Sequence, residues 1–266
     1  MNEQAARTRI WVALGESPSS AAALAAAAAL AAEMDAELAG LFVEDINLQH
    51  LIGLPFAREF SLLTGAGSPL SRGEVERTWQ READAMQRLL AAAANRLRLR
   101  WSFQVARGRV SAEVNTLAQA FDLIVLSKRS GIGVMAALPA TPRFSRVHPQ
   151  GGPVLALIEA GSSFTPSLDL GGRLARLNGA ELVVLVGAEG EDMYRAACAA
   201  AQAALKARDI SGRCVWLNSL NDSSLVKAAR HEAASCLVLA NKERFLTQAG
   251  FDRMLDEIEC PVVLTR

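Results

Sequence analysis

The chain has 266 residues, and its 28 basic and 28 acidic side chains give a formal net charge of zero. A balanced charge provides no general attraction to nucleic acid or to an anionic membrane, so we expect neither as a partner. Because 51% of the residues are apolar and 21% are charged, a disordered chain is excluded.

The sequence carries no membrane or export signal that we recognise. Its longest apolar run, from Ala21 to Ala32, has twelve residues and is too short to span a bilayer. The opening MNEQAARTR lacks an apolar signal core. The cysteines fit no zinc spacing, so we expect reduced core thiols in a cytoplasmic protein without membrane insertion: Cys198, Cys214, Cys236 and Cys260.

The first half alternates apolar runs with helical stretches. Arg9 to Leu14 predicts a buried strand, and Ser17 and Pro18 predict the start of an Ala-rich helix that ends near Met34. The runs hardly alternate in polarity, which is typical of parallel strands covered on both faces. The later predicted elements are strand Glu37–Val43, helix Glu74–Leu97, strand Arg100–Ala106, helix Ser111–Ala120 and strand Leu123–Leu126.

The second half repeats this order. Val154 lies over Ile10 at an offset of 154 − 10 = 144, and Cys236 lies over Asp122 at 236 − 122 = 114. The difference, 144 − 114 = 30, is the size of an insertion that we place at residues 44–73. The predicted strands are Val154–Ile158, Glu181–Val186, Arg213–Leu217, Leu237–Ala240 and Val262–Thr265, and the predicted helices are Ser167–Leu177, Glu191–Ala207, Ser223–Ala234 and Thr247–Ile258.

This duplicated order predicts an α/β fold of two Rossmann-like units with parallel sheets, arranged as an internal pseudo-dimer. We expect one domain over residues 1–150 and a second over residues 151–266. Ligands in such folds bind at the carboxyl ends of the strands. The first unit lacks a fifth strand of its own, so Val262–Thr265 could join the halves or pair across chains in a homodimer.

Several segments resemble universal stress protein domains. VALGESPSS with the Ala-rich helix and AELAGLFVED resembles the opening of such a domain, and CPVVLTR resembles its closing strand. ARGRVSAEVNTLAQAFDLIVLSKRSG resembles the third strand, third helix and fourth strand. Both halves carry the pattern, so the chain resembles a tandem universal stress protein, with two units of the adenine nucleotide alpha hydrolase-like type.

The resemblance implies a nucleotide site whose usual glycines are missing. Many members of the family bind ATP through a G-x2-G-x9-G-[ST] loop after the fourth strand, where glycine lets backbone amides approach phosphates. Here the loop spacing survives without its glycines, and the second half is too short for the loop. The family's base-contacting Asp falls at Gly15. The candidate nucleotide-contacting residues are Gly15, Glu16, Ser17, Val43, Ser127, Lys128, Ser130, Ala140 and Thr141.

Other signals are weaker. Gly131 to Ala136 matches G-x-G-x-x-A, but prolines interrupt the helix that a dinucleotide fingerprint should open. Lys128 and Lys242 are predicted to be repeat-equivalent, and with Arg129 they form either an anion cleft or an ordinary solvated rim. No paired acid and base, Ser elbow or Cys/His pair indicates catalysis, and no spacing indicates a metal.

The insertion is unusually apolar for a loop. It is interpreted either as a cap on the core of its own half or as a lid or docking surface at the ligand edge. Its apolar residues are Leu48, Leu51, Ile52, Leu54, Phe56, Phe60, Leu62 and Leu63.

The leading functional hypothesis is a non-catalytic stress-response or regulatory protein. It acts through contacts with an unknown protein partner and has a degenerate nucleotide site, with no cofactor expected. The first alternative is a protein that binds ATP or another adenine nucleotide through an altered loop, with slow hydrolysis at most. The second is a small-molecule or anion sensor at the Lys128 cleft.

Overall fold

Strands and helices alternate through both halves of the chain. The structure, a computed structural model, describes residues 8–15, 18–45, 58–60, 67–69, 72–108, 112, 122–127, 151–161, 165–240 and 250–265. The first half contains β1 (Arg9–Leu14), α1 (Pro18–Glu33), β2 (Glu37–Asp45), β3 (Arg58–Phe60), β4 (Gly67–Pro69), α2 (Arg72–Arg96), β5 (Trp101–Gly108) and β6 (Leu123–Leu126).

The second half repeats the β–α order of the first. Its elements are β7 (Val154–Glu159), α3 (Thr165–Asn178), β8 (Leu182–Gly187), α4 (Glu191–Ala207), β9 (Gly212–Leu217), α5 (Asp222–His231), β10 (Cys236–Leu239), α6 (Phe251–Glu257) and β11 (Val262–Thr265). The predicted α/β class and the predicted strands of both halves are confirmed. The predicted helix Ser111–Ala120 lies outside the described residues, apart from Ala112.

One nine-stranded sheet runs through both halves, in the order β5-β2-β1-β6-β11-β10-β7-β8-β9. Each half contributes four parallel strands. The ninth strand, β11, pairs in parallel with β10 and antiparallel with β6. Val262–Thr265 therefore joins the halves within one chain, and the alternative that this strand pairs across chains is wrong for this fold. The internal pseudo-dimer is built on a single shared strand.

The pairing directions also decide where the two candidate crevices open. Within this sheet, the first-half strands β5, β2 and β1 run parallel to β6, and the second-half strands run parallel to β11. Because β6 and β11 are antiparallel, the strands of the two halves run in opposite directions. The carboxyl ends of the first-half strands and those of the second-half strands therefore lie at opposite edges of the sheet. The halves cannot share one strand-end site.

The strand register corrects the repeat alignment. Ile10 pairs with Leu123, and its counterpart Val154 pairs with Cys236, so the offset there is 236 − 123 = 113 and not 114. The burial pattern agrees, since Leu123 and Cys236 belong to one core cluster and Leu126 and Leu239 belong to the other. A slip of one residue would exchange the two faces. The predicted offset of 114 is therefore wrong by one residue within these strands. Lys128, Arg129 and Lys242 lie outside the described residues, so the equivalence of the two lysines stays a prediction.

A third offset describes the region of α2 and β5. Leu38 pairs with Trp101 as Leu182 pairs with Gly212, an offset of 212 − 101 = 111. The turns after α2 and α4 agree, because Arg98 and Asp209 both have left-handed backbone, with φ of 56° and 53°. The first half thus has 144 − 111 = 33 more residues between its second and third strands, some of them in α2, which has 25 residues where α4 has 17. The second half has 113 − 111 = 2 more residues between its third and fourth strands.

Both faces of the sheet are buried, as the apolar runs predict. On one face, Ile10 and Val12 belong to a cluster that includes residues of all four helices α1 to α4. On the other face, Trp11 and Ala13 belong to a cluster that includes residues of α5 and α6. Helix α1 also meets α3 of the other half, where Arg173 pairs with Glu33 at 3.1 Å.

The insertion contains one described feature, the antiparallel ribbon of β3 and β4. Of the apolar residues predicted there, Phe60 lies in β3 and the others lie outside the described residues, so the cap and lid interpretations both stay predictions. The domain boundary near residue 150 also stays a prediction. None of the helices in the described part of the chain combines the length and the apolar character that crossing a membrane requires.

We predict that β11 is the strand whose side chains matter most for stability. Leu264 is fully buried, and it faces Leu239 of β10 and Ile124 of β6 across the sheet. Leu264→Ala should lower the free energy of unfolding by about 2–5 kcal/mol, the usual cost of a core cavity. Urea denaturation followed by circular dichroism measures this.

The matched control is Val105→Ala on the edge strand β5, where the side chain is 50% exposed. Its effect should stay within about 0.5 kcal/mol. A loss for Leu264→Ala as small as that of the control would contradict the central position of β11.

Candidate functional site

The candidate site of the first half lies at the carboxyl ends of three neighbouring strands. Gly15 follows β1, Val43 lies near the end of β2, and Ser127 follows β6. The sheet places these strands side by side in the order β2-β1-β6. The structure therefore brings three predicted residues to one edge. The other six predicted residues lie outside the described part of the chain: Glu16, Ser17, Lys128, Ser130, Ala140 and Thr141.

A relay of hydrogen bonds links the ends of β1 and β6. The Gly15 N–H donates to Ser20 Oγ at 3.2 Å, and Ser127 Oγ donates to the carbonyl oxygen of Ala13 at 3.4 Å. The two hydroxyl oxygens are 3.0 Å apart. Either hydroxyl can donate in this contact. The serines thus satisfy the polar groups of this strand edge with one another.

Both serines of this relay are buried, Ser20 at 3% and Ser127 at 8% exposure. Ser127 occupies the position where the resemblance implies the first glycine of a phosphate loop. The buried Ser127 hydroxyl is hydrogen-bonded within the protein, whereas a glycine amide in a phosphate loop is free to bind a phosphate. The Gly15 amide, which lies at the same edge, is also engaged.

Sequence reasoning missed Ser20. The segment Ser17-Pro18-Ser19-Ser20 offers three hydroxyls at the start of a helix, and we assigned the capping role to Ser17. Ser20 lies in the first turn of α1, and its Oγ points back to Gly15. The Ser127 hydroxyl after β6 could have indicated Ser20, because a buried hydroxyl needs a hydrogen-bond partner.

Space remains beside Gly15. A Cβ built on this residue would meet no atom within 4 Å among those described. Among the described residues, nothing blocks a side chain at the position where the resemblance places an aspartate.

An ion pair flanks this crevice. Arg107 at the end of β5 donates to Glu44 of β2 at 2.7 Å, and the two residues are cross-strand neighbours. The Glu44 side chain is only 12% exposed, whereas that of Arg107 is 53% exposed. The two opposite charges lie on the β2–β5 side of the site and neutralise each other. The pair therefore adds no net charge that would attract a phosphate.

The corresponding edge of the second half has different residues. The offset of 159 − 15 = 144 places the half-buried Glu159 opposite Gly15, and the offset of 240 − 127 = 113 places Ala240 opposite Ser127. The second half therefore has an acidic residue after its first strand and no hydroxyl after its fourth. Residues 241–249, which follow that strand, are outside the described part.

An apolar groove lies where α1 of the first half meets α3 of the second. It has a volume of about 480 Å³, with Glu33 and Arg96 at its charged positions. Leu97 and Leu177 in its wall are 43% and 42% exposed. The apolar lining consists of Ala25, Ala28, Ala29, Ala32, Ala93, Leu97 and Leu177.

The fold is similar to that of solved universal stress proteins. No protein-family model and no curated protein matches the chain. A universal stress protein from Archaeoglobus fulgidus DSM 4304 matches with a TM-score of 0.56 at 9% identity, over 97% of this chain and 96% of that one. The similarity extends over both halves.

Two further matches have lower TM-scores. A putative universal stress protein from Pseudomonas aeruginosa has a TM-score of 0.47 at 14% identity, over 99% of this chain and 95% of that one. A universal stress protein from Archaeoglobus fulgidus, solved in complex with dAMP, has a TM-score of 0.36 at 16% identity, over 43% of this chain and 98% of that one. The whole-length match establishes that this chain has the universal stress protein fold.

Proposed function

We propose that the chain is a non-catalytic stress-response or regulatory protein of the tandem universal stress type. It acts through protein contacts and keeps only a degenerate nucleotide site. The observation that carries this proposal is the relay through Ser20 and Ser127. A phosphate loop needs glycines and free backbone amides. This chain instead has the buried hydroxyls of Ser20 and Ser127, which hydrogen-bond to backbone groups at the end of β1.

The energetic cost of breaking this relay also supports a degenerate nucleotide site. A ligand that used the Gly15 amide would first have to break its bond to Ser20 and leave a buried hydroxyl without that partner. The Ser20 hydroxyl would keep its contact with Ser127, so the cost is that of one hydrogen bond, about 0.5–1.5 kcal/mol. This penalty would be subtracted from the affinity of a nucleotide at this edge, whereas a glycine-lined loop has no such internal bond to break.

The groove between α1 and α3 is the surface that best suits a protein contact. Its wall contains two partly exposed leucines, and charged side chains stand at its rim. An apolar centre with a polar rim is the usual composition of a protein-binding surface. The four cysteines are free thiols, which supports the proposed cytoplasmic location, since the cytosol keeps thiols reduced.

The alternative is an adenine-nucleotide binding protein. The open space beside Gly15 and the half-buried Glu159 in the second half favour it. The strand directions keep these two positions at opposite edges, so a nucleotide would bind within one half, and a variant in each half can distinguish them.

A prediction about nucleotide binding follows. Thermal-shift and calorimetric titrations with ATP, ADP and AMP should give no saturable binding at micromolar concentrations. A ligand present at one hundred times its Kd would stabilise the protein by about 2.7 kcal/mol, so a true site would be seen.

Saturable micromolar binding would contradict the leading proposal. Two variants would then locate the site. Loss of binding in Glu159→Gln would place the nucleotide in the second half, and tighter binding in Gly15→Asp would place it in the first. Gly15→Asp has room for its side chain, so the folded protein should tolerate it.

The relay itself gives a prediction about stability. Ser20→Ala removes a partner of both the Gly15 amide and Ser127, and it should cost about 1–3 kcal/mol of unfolding free energy. The double variant Ser20→Ala/Ser127→Ala should cost less than the sum of the single variants, with a coupling of about 0.5–3 kcal/mol. Urea denaturation of the four proteins measures this cycle.

Ser219 and Ser224 provide the matched control, because their hydroxyls are 2.9 Å apart on the exposed surface. Ser219→Ala should change the unfolding free energy by no more than about 0.5 kcal/mol. Strict additivity of the two buried substitutions would show that the relay carries no energy and would remove the main support for a self-satisfied site.

A further inference from the structure

Two thiols meet between helix α4 and the edge strand β9. The Cys214 thiol donates a hydrogen bond to the carbonyl oxygen of Cys198 at 3.8 Å. Both residues are partly exposed, while Cys236 and Cys260 are buried. We propose that Cys198 and Cys214 form an oxidative modification site, at which a peroxide converts the two thiols into an intramolecular disulfide.

The position of the pair in the fold gives an oxidant access to it. Strand β9 ends the sheet order, so only β8 pairs with it among the described strands. Cys214 is partly exposed on β9, and Cys198 lies on α4, which packs against β9. The reacting atoms are thus at the rim of the core, where a small peroxide reaches them without unfolding the protein.

The neighbouring groups assign the roles of the two thiols. Burial raises the pKa of Cys214 to about 12, with further contributions from the hydrogen bond and the charge of Cys198. Cys214 therefore keeps its proton, which it donates to the Cys198 carbonyl oxygen, and the first attack is assigned to Cys198. Tyr194 lies one turn before Cys198 on α4, and the pKa of its hydroxyl is raised, first by burial and then by the charge of Cys198. Its protonated hydroxyl is a potential donor to the Cys198 sulfur.

The reaction has two balanced steps. The Cys198 sulfur attacks one oxygen of hydrogen peroxide, the O–O bond breaks, and the leaving hydroxide takes the Cys198 thiol proton to form water, which leaves a sulfenic acid. The Cys214 sulfur then attacks the Cys198 sulfur, the S–O bond breaks, and a second water leaves with the Cys214 proton. Two thiols lose two electrons, and the peroxide gains them.

This cluster is specific to the second half. The offset of 111 places Gln87 opposite Cys198 and Phe103 opposite Cys214. The first half thus has no thiol at either position. In the second half the pair lies beside a stack of Tyr194 on Trp216, whose ring centroids are 5.4 Å apart at an interplanar angle of 16°. Trp216 is therefore a local optical reporter of the modification.

The buried cysteines serve as an internal control. Burial raises the pKa of Cys260 to about 12, and burial with the nearby Cys260 raises the pKa of Cys236 well above its usual range. Both thiols are shielded from solvent, and they belong to different core clusters. Because a peroxide has no access to them in the folded protein, they should stay reduced.

The test treats the folded, reduced full-length chain with hydrogen peroxide, followed by alkylation, thiol counting and peptide mass spectrometry without reduction. We expect two of the four thiols to be lost, a crosslinked peptide that joins Cys198 to Cys214, a change in Trp216 fluorescence, and full reversal by dithiothreitol. Cys236→Ser should leave these results unchanged.

Two single variants test the order of the steps. Cys214→Ser should accumulate a Cys198 sulfenic acid that dimedone traps, and Cys198→Ser should leave Cys214 unmodified. The proposal is overturned if the peptide crosslink involves other cysteines, if the disulfides form only between chains, or if Cys198 is oxidised only to sulfinic acid while Cys214 stays free. If either variant fails to fold, the wild-type crosslink alone decides between these outcomes.

Discussion

The structure depends on one strand that serves two halves. Strand β11 lies between β6 and β10, and without it each half would end in an unpaired edge at the centre of the molecule. Open edges of this kind are prone to pair with other chains. The pairing of β11 with both neighbours instead joins two four-stranded sheets and continues the two core clusters across the junction. Every other packing relation between the halves, including that of α1 with α3, follows from this arrangement.

The same strand separates the candidate sites. Because β11 is antiparallel to β6, the two sets of strand ends open at opposite edges, and each half has to bind a ligand alone. The halves have diverged in different ways at these edges. The first half ties its strand ends together through Ser20 and Ser127, whereas the second half has Glu159 in place of Gly15 and gains thiols at its outer strand.

Much of the fold could be predicted because hydrophobic runs and helix starts are local signals. The gapless repeat at an offset of 144 is confirmed by the strand pairing, and the shared Glu37 and Glu181 have a common place. Glu37 accepts a hydrogen bond from Ser102, and Glu181 accepts one from Arg213 at the equivalent position. The residues that recur in both halves therefore occupy equivalent positions in the fold.

The remaining features could not be read in this way. LIVL and CLVL are uniformly apolar, so no polar residue marks which face each side chain takes, and matching the lysines gave an offset wrong by one. The closing strand VVLT would suit an intrachain or an interchain partner equally well. Ser20 was missed because three hydroxyls compete at one helix start, and only the fold brings Ser127 to the third of them.

Native-state hydrogen exchange tests most directly whether one strand makes the two halves a single unit. The slowest amides should be those of β6, β10 and β11, and they should share one opening free energy and one dependence on denaturant, since they open together. If the β6 amides exchanged at a clearly lower opening free energy while β10 and β11 stayed protected, the halves would be separate units and the account would be wrong.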